Sequence, residues 1–203
     1  MSLSTALRSR VSRSTILALS SVTLVTLFVP VRFAHADAIV VTECGETVPP
    51  GRTAYLVDDL DCRGSGVPGV VLSHRSRLLM TGHAIVGDAG ETDAAGAPLQ
   101  GVRCTTGSVC TVEGPGTITG FSASGVAGTR VRLHDVWIGG NGVAGVSAYE
   151  DVRLRNVVFS ANGMLAVNAG GRVRSSDVDL GEERSEVVEW GAPPFKPRHR
   201  TGG

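Results

Sequence analysis

Apolar and polar residues alternate along the middle of the chain. In the string VRLHDVWI, which begins at Val131, the first, third, sixth and eighth residues are apolar, and Arg132, His134 and Trp137 stand between them. A period of two is typical of a β-strand that buries one face and exposes the other. The alternation shifts by one position at Asp135, which predicts a corner there.

The alternation returns at a fixed interval. The copies VRLRNVVF and VRSSDVDL begin at Val152 and Val173, so that successive starts lie 21 residues apart. A weaker match places GTITGFSASGV against VWIGGNGVAGV at an offset of 20. A repeat of short strands without helical spacing buries its apolar side only when successive coils stack. The pattern predicts an all-β parallel β-helix, a solenoid of about six short coils over residues 37–180, in which Val131, Val152 and Val173 lie above one another.

Stacking of the three copies collects basic side chains on one outer surface, which we call the basic face. Like charges one coil apart repel by roughly 1 kcal/mol or less when they are solvated. The face is therefore either a solvated surface or the binding site of an anionic partner. Its members are six arginines and one acid: Arg130, Arg132, Arg153, Arg155, Arg172, Arg174 and Asp151.

A ligand-binding role for the basic face is the more specific hypothesis. Arginine binds carboxylates and sulfates through two parallel hydrogen bonds. We predict that Arg132, Arg153, Arg155 and Arg174 bind acidic polysaccharide or cell-envelope polymer. Trp137 is predicted to point outward on the adjacent strand, where an exposed indole can stack on a sugar ring.

Short polar residues mark the predicted corners. Asp135, Asn156 and Asp177 share one column at the predicted inner corner, where they tolerate left-handed backbone and can form a polar ladder. A Ca²⁺ site built from their carboxylates is the alternative, but an amide separates the two acids, so no metal site is predicted. Asn141 and Asn162, each followed by glycine, are interpreted as turn residues.

The first 36 residues differ from the rest of the chain. Three arginines precede an apolar run over residues 16–29, and the small residues Ala34 and Ala36 follow it. This order predicts a signal peptide, residues 1–36, that is cleaved after Ala36. An uncleaved anchor is the alternative, but the run is shorter than the roughly 20 residues that span a bilayer. We therefore predict a secreted, periplasmic or cell-surface protein with no membrane span after cleavage.

Removal of this segment changes the charge balance. Four of the 19 basic residues lie in it and none of the 19 acidic residues does, which leaves 15 basic residues and a net charge of −4. A net negative chain is a poor general binder of nucleic acid. We predict no nucleic-acid partner.

Four cysteines remain in the predicted exported chain: Cys44, Cys62, Cys104 and Cys110. Disulfides persist in oxidising compartments, and four cysteines allow three pairings. Proximity in the sequence favours Cys44–Cys62 and Cys104–Cys110. The chain has no Cys-x-x-Cys spacing, which argues against a zinc site.

Several strings carry a resemblance to a known family. The segments ECGETVPPGRTAYLVDDLDC, LLMTGHAIVG and GTITGF, followed by the Asn-Gly repeats, resemble the bacterial right-handed parallel β-helix proteins of the pectin-lyase-like superfold. The resemblance covers roughly residues 43–180 and implies a right-handed coil. That superfold hosts lyases, hydrolases, epimerases, esterases, adhesins and non-catalytic modules, so it does not select a reaction.

A small polysaccharide lyase or related carbohydrate-active enzyme is the alternative function. The resemblance implies that such a lyase would use Ca²⁺ or arginine to neutralise a carboxylate, and no cofactor is predicted otherwise. A hydrolase needs two carboxylates that face each other across a groove. Asp58, Asp59 and Asp61 form the only dense acidic run in a predicted strand, at a place where capping of the first coil is the commoner role.

Three further features complete the sequence-based hypothesis. The acidic segment 88–99 is either one wall of a cleft or a solvated loop, and His83 is interpreted as a turn or packing residue. Residues 181–203, which contain Trp190 and Phe195, are predicted to form a flexible tail. No motif identifies a catalytic residue, so the sequence favours an exported binding module over an enzyme.

Overall fold

The computed structural model describes residues 38–181 and 187–189, which form a parallel β-solenoid of about six turns. The predicted signal peptide and most of the predicted tail, including Trp190 and Phe195, lie outside these residues. The secondary structure within the described ranges consists of strands and contains no helix. The predicted all-β class and the parallel solenoid are therefore confirmed.

Sixteen short strands make up this part of the chain. In chain order they are β1 (Ile39–Val41), β2 (Glu46–Val48), β3 (Thr53–Leu56), β4 (Leu60–Asp61), β5 (Val70–Leu72), β6 (Arg77–Leu79), β7 (Ala84–Val86), β8 (Val102–Cys104), β9 (Val109–Thr119), β10 (Ser124–Gly128), β11 (Arg130–Gly139), β12 (Ala144–Ala148), β13 (Val152–Ser160), β14 (Leu165–Ala169), β15 (Val173–Asp179) and β16 (Val187–Glu189).

The strands form two parallel sheets with three faces. One sheet follows the order β1-β3-β6-β9-β11-β13-β15, and the other follows β16-β14-β12-β10-β8-β5-β2. In β9, β11, β13 and β15 a corner divides each strand into two segments. We call the sheet surface before this corner the first face, and the surface after it, where β4 and β7 pair, the second face. The other sheet is the third face.

The predicted register is confirmed along the first face. Val131 pairs with Val152, which pairs with Val173, and Leu133 pairs with Leu154. Val131, Leu133, Val152 and Leu154 are buried in the core. The next residue of the leucine column is Ser175, which is exposed. The apolar column therefore ends at β15.

The corner residues take the predicted left-handed conformation but lie on the outside of the solenoid. The φ angles of Asp135, Asn156 and Asp177 are 57°, 49° and 54°. The Asn156 side chain donates a hydrogen bond from Nδ2 to Asp135 Oδ1 at 2.6 Å. Asn156 and Asp177 are exposed, so the expected inner position of this column is wrong.

The inner polar ladder is built instead by Asn141 and Asn162, which are buried. Asn141 donates from Nδ2 to Asn162 Oδ1 at 2.9 Å, and Asn162 donates to the carbonyl of Ile138 at 3.1 Å. The Asn141 Oδ1 atom accepts the N–H of Phe121 at 3.1 Å. Buried polar groups must find such partners, so these asparagines are structural members of the core.

Glycines on the third face make room for large side chains from the second face. A Cβ atom on Gly125 would lie 2.4 Å from Ile138 Cγ2, and one on Gly145 would lie 2.4 Å from Phe159 Cδ1. Gly101 meets Ile118 in the same way, at 2.3 Å. The core is thus closed by isoleucine and phenylalanine side chains that pack against bare backbone.

The solenoid extends beyond the predicted coils at both ends. At the start, β1 pairs with β3 and β2 pairs with β5, so one turn precedes the segment at 53–62 that we expected to be the first coil. At the end, β16 pairs with β14 inside the predicted tail.

Both disulfides have the pairing that sequence proximity favoured. Cys44 and Cys62 are joined with their Cα atoms 5.6 Å apart, and this bridge links the first two turns. Cys104 and Cys110 are joined with a Cα separation of 6.1 Å across the connection from β8 to β9.

Candidate anion-binding face

The first face presents arginines at one position of successive strands. Arg132 of β11 pairs with Arg153 of β13, which pairs with Arg174 of β15. Neighbouring strands lie about 4.8 Å apart, and the three residues alternate with side chains that point inward. All three are exposed. We call them the arginine column.

A second column runs beside the first. His134 pairs with Arg155, and Arg155 pairs with Ser176, as predicted. Arg155 is exposed, whereas His134 is half-buried, with its Nδ1 atom 3.2 Å from Asp135 Oδ2. The two columns together place four arginines on three consecutive coils.

The structure adds Arg77 and Glu113 to this face, and sequence reasoning missed both. Thr111 lies below Arg132 in the first column and Arg77 lies below Thr111, while Glu113 lies below His134 in the second column. The fixed interval would have located them, but the long connection between β7 and β8 separates Arg77 from the regular repeats.

Carboxylates pair with the arginines at the edges of the face. Arg77 Nε lies 3.5 Å from Glu113 Oε1, and Arg130 Nε lies 2.6 Å from Glu150 Oε2. Asp151 accepts the backbone N–H of Arg172 at 3.0 Å. The margins of the basic face are therefore less positive than the sequence count of one acid indicated.

The centre of the face keeps its positive charge. Among residues 38–181 and 187–189, no carboxylate oxygen lies within 4.0 Å of the guanidinium nitrogens of Arg132, Arg153, Arg155 or Arg174. These four cations face solvent at the spacing of the strands, and their mutual repulsion is not offset by neighbouring acids. An anion that bridged two of them would relieve it.

An open depression of about 480 Å³ follows the two columns across four strands. It begins beside Arg77 and Glu113 and ends beside Arg153 and Arg155. A smaller depression of about 100 Å³ adjoins it between Arg130, Arg132, Asp151 and Arg153. The surface is therefore grooved along the stacking direction.

Trp137 points outward, as predicted, but on the second face. It pairs with Thr117 on one side and Val158 on the other, and 36% of its surface is exposed. The indole lies over Gly139, where a Cβ atom would be 2.4 Å from its Cη2 atom. The corner at Asp135 separates Trp137 from the arginine column. Its contact with a sugar stays a prediction.

The acidic residues proposed for an enzyme have structural partners. Asp61 accepts hydrogen bonds from Arg63 Nε at 2.8 Å and Nη2 at 2.6 Å, and the side-chain hydrogen bond from Arg63 lowers the pKa of Asp61 to about 2. Asp59 accepts the N–H of Ala84 at 2.8 Å and lies 3.5 Å from His83 Nδ1. A carboxyl with a lowered pKa is ionised at neutral pH and is unsuited to donate a proton.

The acidic segment 88–99 does not wall the arginine column. The Glu91 carboxylate accepts the N–H of Gly64 at 2.9 Å and also that of Gly66. Ser122 donates a hydrogen bond to the Glu91 carbonyl. These contacts hold the segment against the turn that follows β4, and it contributes no residue to the depression on the first face.

A second depression, of about 500 Å³, lies on the third face. Small residues line most of it, and Ser124 and Ser147 share a hydrogen bond of 2.7 Å between their hydroxyls. The described lining contains no carboxylate, imidazole or cationic side chain. It therefore lacks the groups that acid–base chemistry requires.

Two searches of the described residues add little chemistry. No group of three or more His, Cys, Asp or Glu side chains in residues 38–181 and 187–189 could hold a metal ion. Across these same ranges, no helix is long and apolar enough to cross a membrane.

The fold defines this protein as a parallel β-solenoid that carries an exposed column of arginines. None of the family models, curated proteins or solved structures with which we compared the chain matches it. The site must therefore be interpreted from its own geometry.

Proposed function

We propose that this protein is an exported β-solenoid module that binds acidic polysaccharide or cell-envelope polymer through its first face. The observation that carries the proposal is the arginine column, in which three guanidinium groups lie on consecutive strands without a carboxylate partner among the described residues. Carboxylates and sulfates are the groups that arginine binds best at a surface.

The charge distribution supports a local rather than a global attraction. The chain after the predicted signal peptide has a net charge of −4, so a polyanion is drawn to this surface and repelled elsewhere. Binding of this kind weakens with salt because exposed charges are screened over about 10 Å at 0.1 M ionic strength. Two disulfides support action outside the cytoplasm, where such bonds persist.

The lyase alternative has less support. The only carboxylate in the depression, Glu113, is paired with Arg77, and the acids near β4 are engaged with Arg63 and the Ala84 backbone. We therefore place binding ahead of turnover, and the affiliation with pectin-lyase-like proteins remains part of the proposal.

The test is retention on immobilised polygalacturonate and alginate at low and moderate salt. The variant Arg132→Gln/Arg153→Gln removes two charges from the column, and Arg63→Gln/Arg103→Gln removes two exposed charges elsewhere. We expect the first to weaken binding about tenfold and the second to leave it unchanged, since each exposed ion pair contributes up to about 1 kcal/mol.

Two outcomes would overturn the proposal. One is no retention of the unaltered protein at low salt. The other is equal weakening by the two double variants, which would indicate an effect of net charge alone. Growth of ultraviolet absorbance from unsaturated sugar products, with or without Ca²⁺, would establish the lyase instead.

A further inference from the structure

We infer that the bound polymer runs along the stacking axis of the solenoid and places consecutive charged units on Arg132, Arg153 and Arg174. This inference rests on the proposed function and adds the direction, the length and the charge pattern of the ligand. A chain that ran along a single strand would instead meet Arg132, His134 and Trp137.

The shape of the surface supports the axial direction. The depression on the first face is lined by residues of β6, β9, β11 and β13, so its long dimension crosses the strands. Trp137 is not among the residues that line it, because the corner at Asp135 turns the second half of β11 away. A ligand that fills this depression therefore leaves the indole untouched.

The distribution of charge limits the length of the bound segment. Below Arg132 the column continues with the neutral Thr111 and then with Arg77, whose Nε lies 3.5 Å from Glu113. The Glu113 carboxylate repels an anion at that end. At the other end the apolar core column stops at Ser175 in β15. The unpaired cations thus span three strands, or about 10 Å at a strand spacing of about 4.8 Å.

The spacing also selects a charge pattern. A polymer with an acid on every unit can satisfy all three arginines in turn, because the column supplies one guanidinium per strand. A polymer with an acid on alternate units leaves the middle arginine without a partner over the same length. The column therefore favours glycans that carry charge on consecutive sugars.

Calorimetric titration of the full chain with defined oligosaccharides tests the inference. Oligogalacturonates of one to six units serve as the ligand with consecutive charges, and hyaluronan oligosaccharides of equal length serve as the ligand with alternate charges. We expect the affinity to rise steeply from one to three galacturonate units and to flatten beyond three. Hyaluronan oligosaccharides of the same length should bind more weakly.

Single variants establish the direction. Arg132→Gln, Arg153→Gln and Arg174→Gln should each weaken trigalacturonate binding by about two- to fivefold, and Trp137→Ala should leave it unchanged. A strong loss in Trp137→Ala together with no effect of Arg174→Gln would show that the ligand follows β11, which overturns the axial inference while the binding function stands. An absence of binding by every oligosaccharide and by polygalacturonate would remove the function itself.

Discussion

Gly145 faces Phe159 across the core so closely that a Cβ atom on the glycine would lie 2.4 Å from the ring carbon Cδ1 and 2.7 Å from the carbonyl oxygen of Ala166. The third face can approach the second only because Gly145 has no side chain. We therefore predict that Gly145→Ala destabilises the protein by about 1–3 kcal/mol through overpacking.

Urea unfolding measures this effect, and Gly90→Ala is the matched control. A Cβ atom on Gly90 meets only Asp88 Oδ1, at 3.6 Å, which is ordinary contact. Combining Gly145→Ala with Phe159→Leu should cost less than the sum of the single changes, because the two residues compete for one space. Equal stability of Gly145→Ala and the unaltered protein would contradict the tight packing of this pair.

The inner asparagine ladder gives a second prediction. Asn162 accepts from Asn141 Nδ2 at 2.9 Å and donates to the Ile138 carbonyl at 3.1 Å. Asn162→Leu leaves buried polar groups without these partners and should cost about 1–3 kcal/mol in free energy of unfolding. Asp177→Asn, at an exposed corner with left-handed backbone, should change stability by about 0.5 kcal/mol or less. A reversed order of the two costs would contradict the inner position of the ladder.

The sequence predicts the register well because two periodicities coincide. The alternation of Val131 and Leu133 fixes which side chains point inward, and the interval of 21 residues fixes which of them stack. These two facts alone align Arg132 with Arg153 and Arg174, so the centre of the candidate site follows from the sequence.

Other parts of the site depend on information that the sequence pattern does not carry. Asn-Gly pairs mark turns whether the asparagine is exposed or buried, so Asn141 was assigned to a turn and not to the core. Glu150 lies in a connection between strands, where no alternation indicates that it reaches Arg130. The long connection at 88–99 interrupts the interval before Arg77, which hid the lower end of the basic face.

The disulfides should contribute unequally. The bridge Cys44–Cys62 spans 18 residues and Cys104–Cys110 spans 6, and loop-closure entropy in the unfolded chain grows with loop length. Replacing both cysteines of the first pair by alanine should cost about 3 kcal/mol, and replacing those of the second should cost about 2 kcal/mol.

Urea unfolding of the two double-alanine variants checks the order. Hydrogen exchange should also show selective loss of protection in β1 and β2 when Cys44–Cys62 is absent, because that bridge links the first two turns. A larger cost for the shorter loop, with β1 still protected in the other variant, would contradict this assignment.

The Asp61–Arg63 pair gives a pH prediction. The side-chain hydrogen bond from Arg63 lowers the pKa of Asp61 from 3.8 to about 2. A lowered pKa means that the carboxylate contributes stability above about pH 3.8 and loses it as the pH falls towards 2. Arg63→Gln should raise the pKa of Asp61 towards 3.8 in an NMR titration of side-chain carboxyls, whereas Arg103→Gln should not. An unchanged pKa in Arg63→Gln would show that this hydrogen bond is absent in solution.

The most direct test of the function is an NMR titration of the labelled protein with trigalacturonate at low salt. Binding at the first face predicts shifts of the Nε–Hε resonances of Arg132, Arg153 and Arg174 that saturate together and disappear at high salt. Shifts confined to the third-face depression, at Ser147, Tyr149 and Asn168, with the arginine resonances unmoved, would contradict the assignment of the ligand to the arginine column.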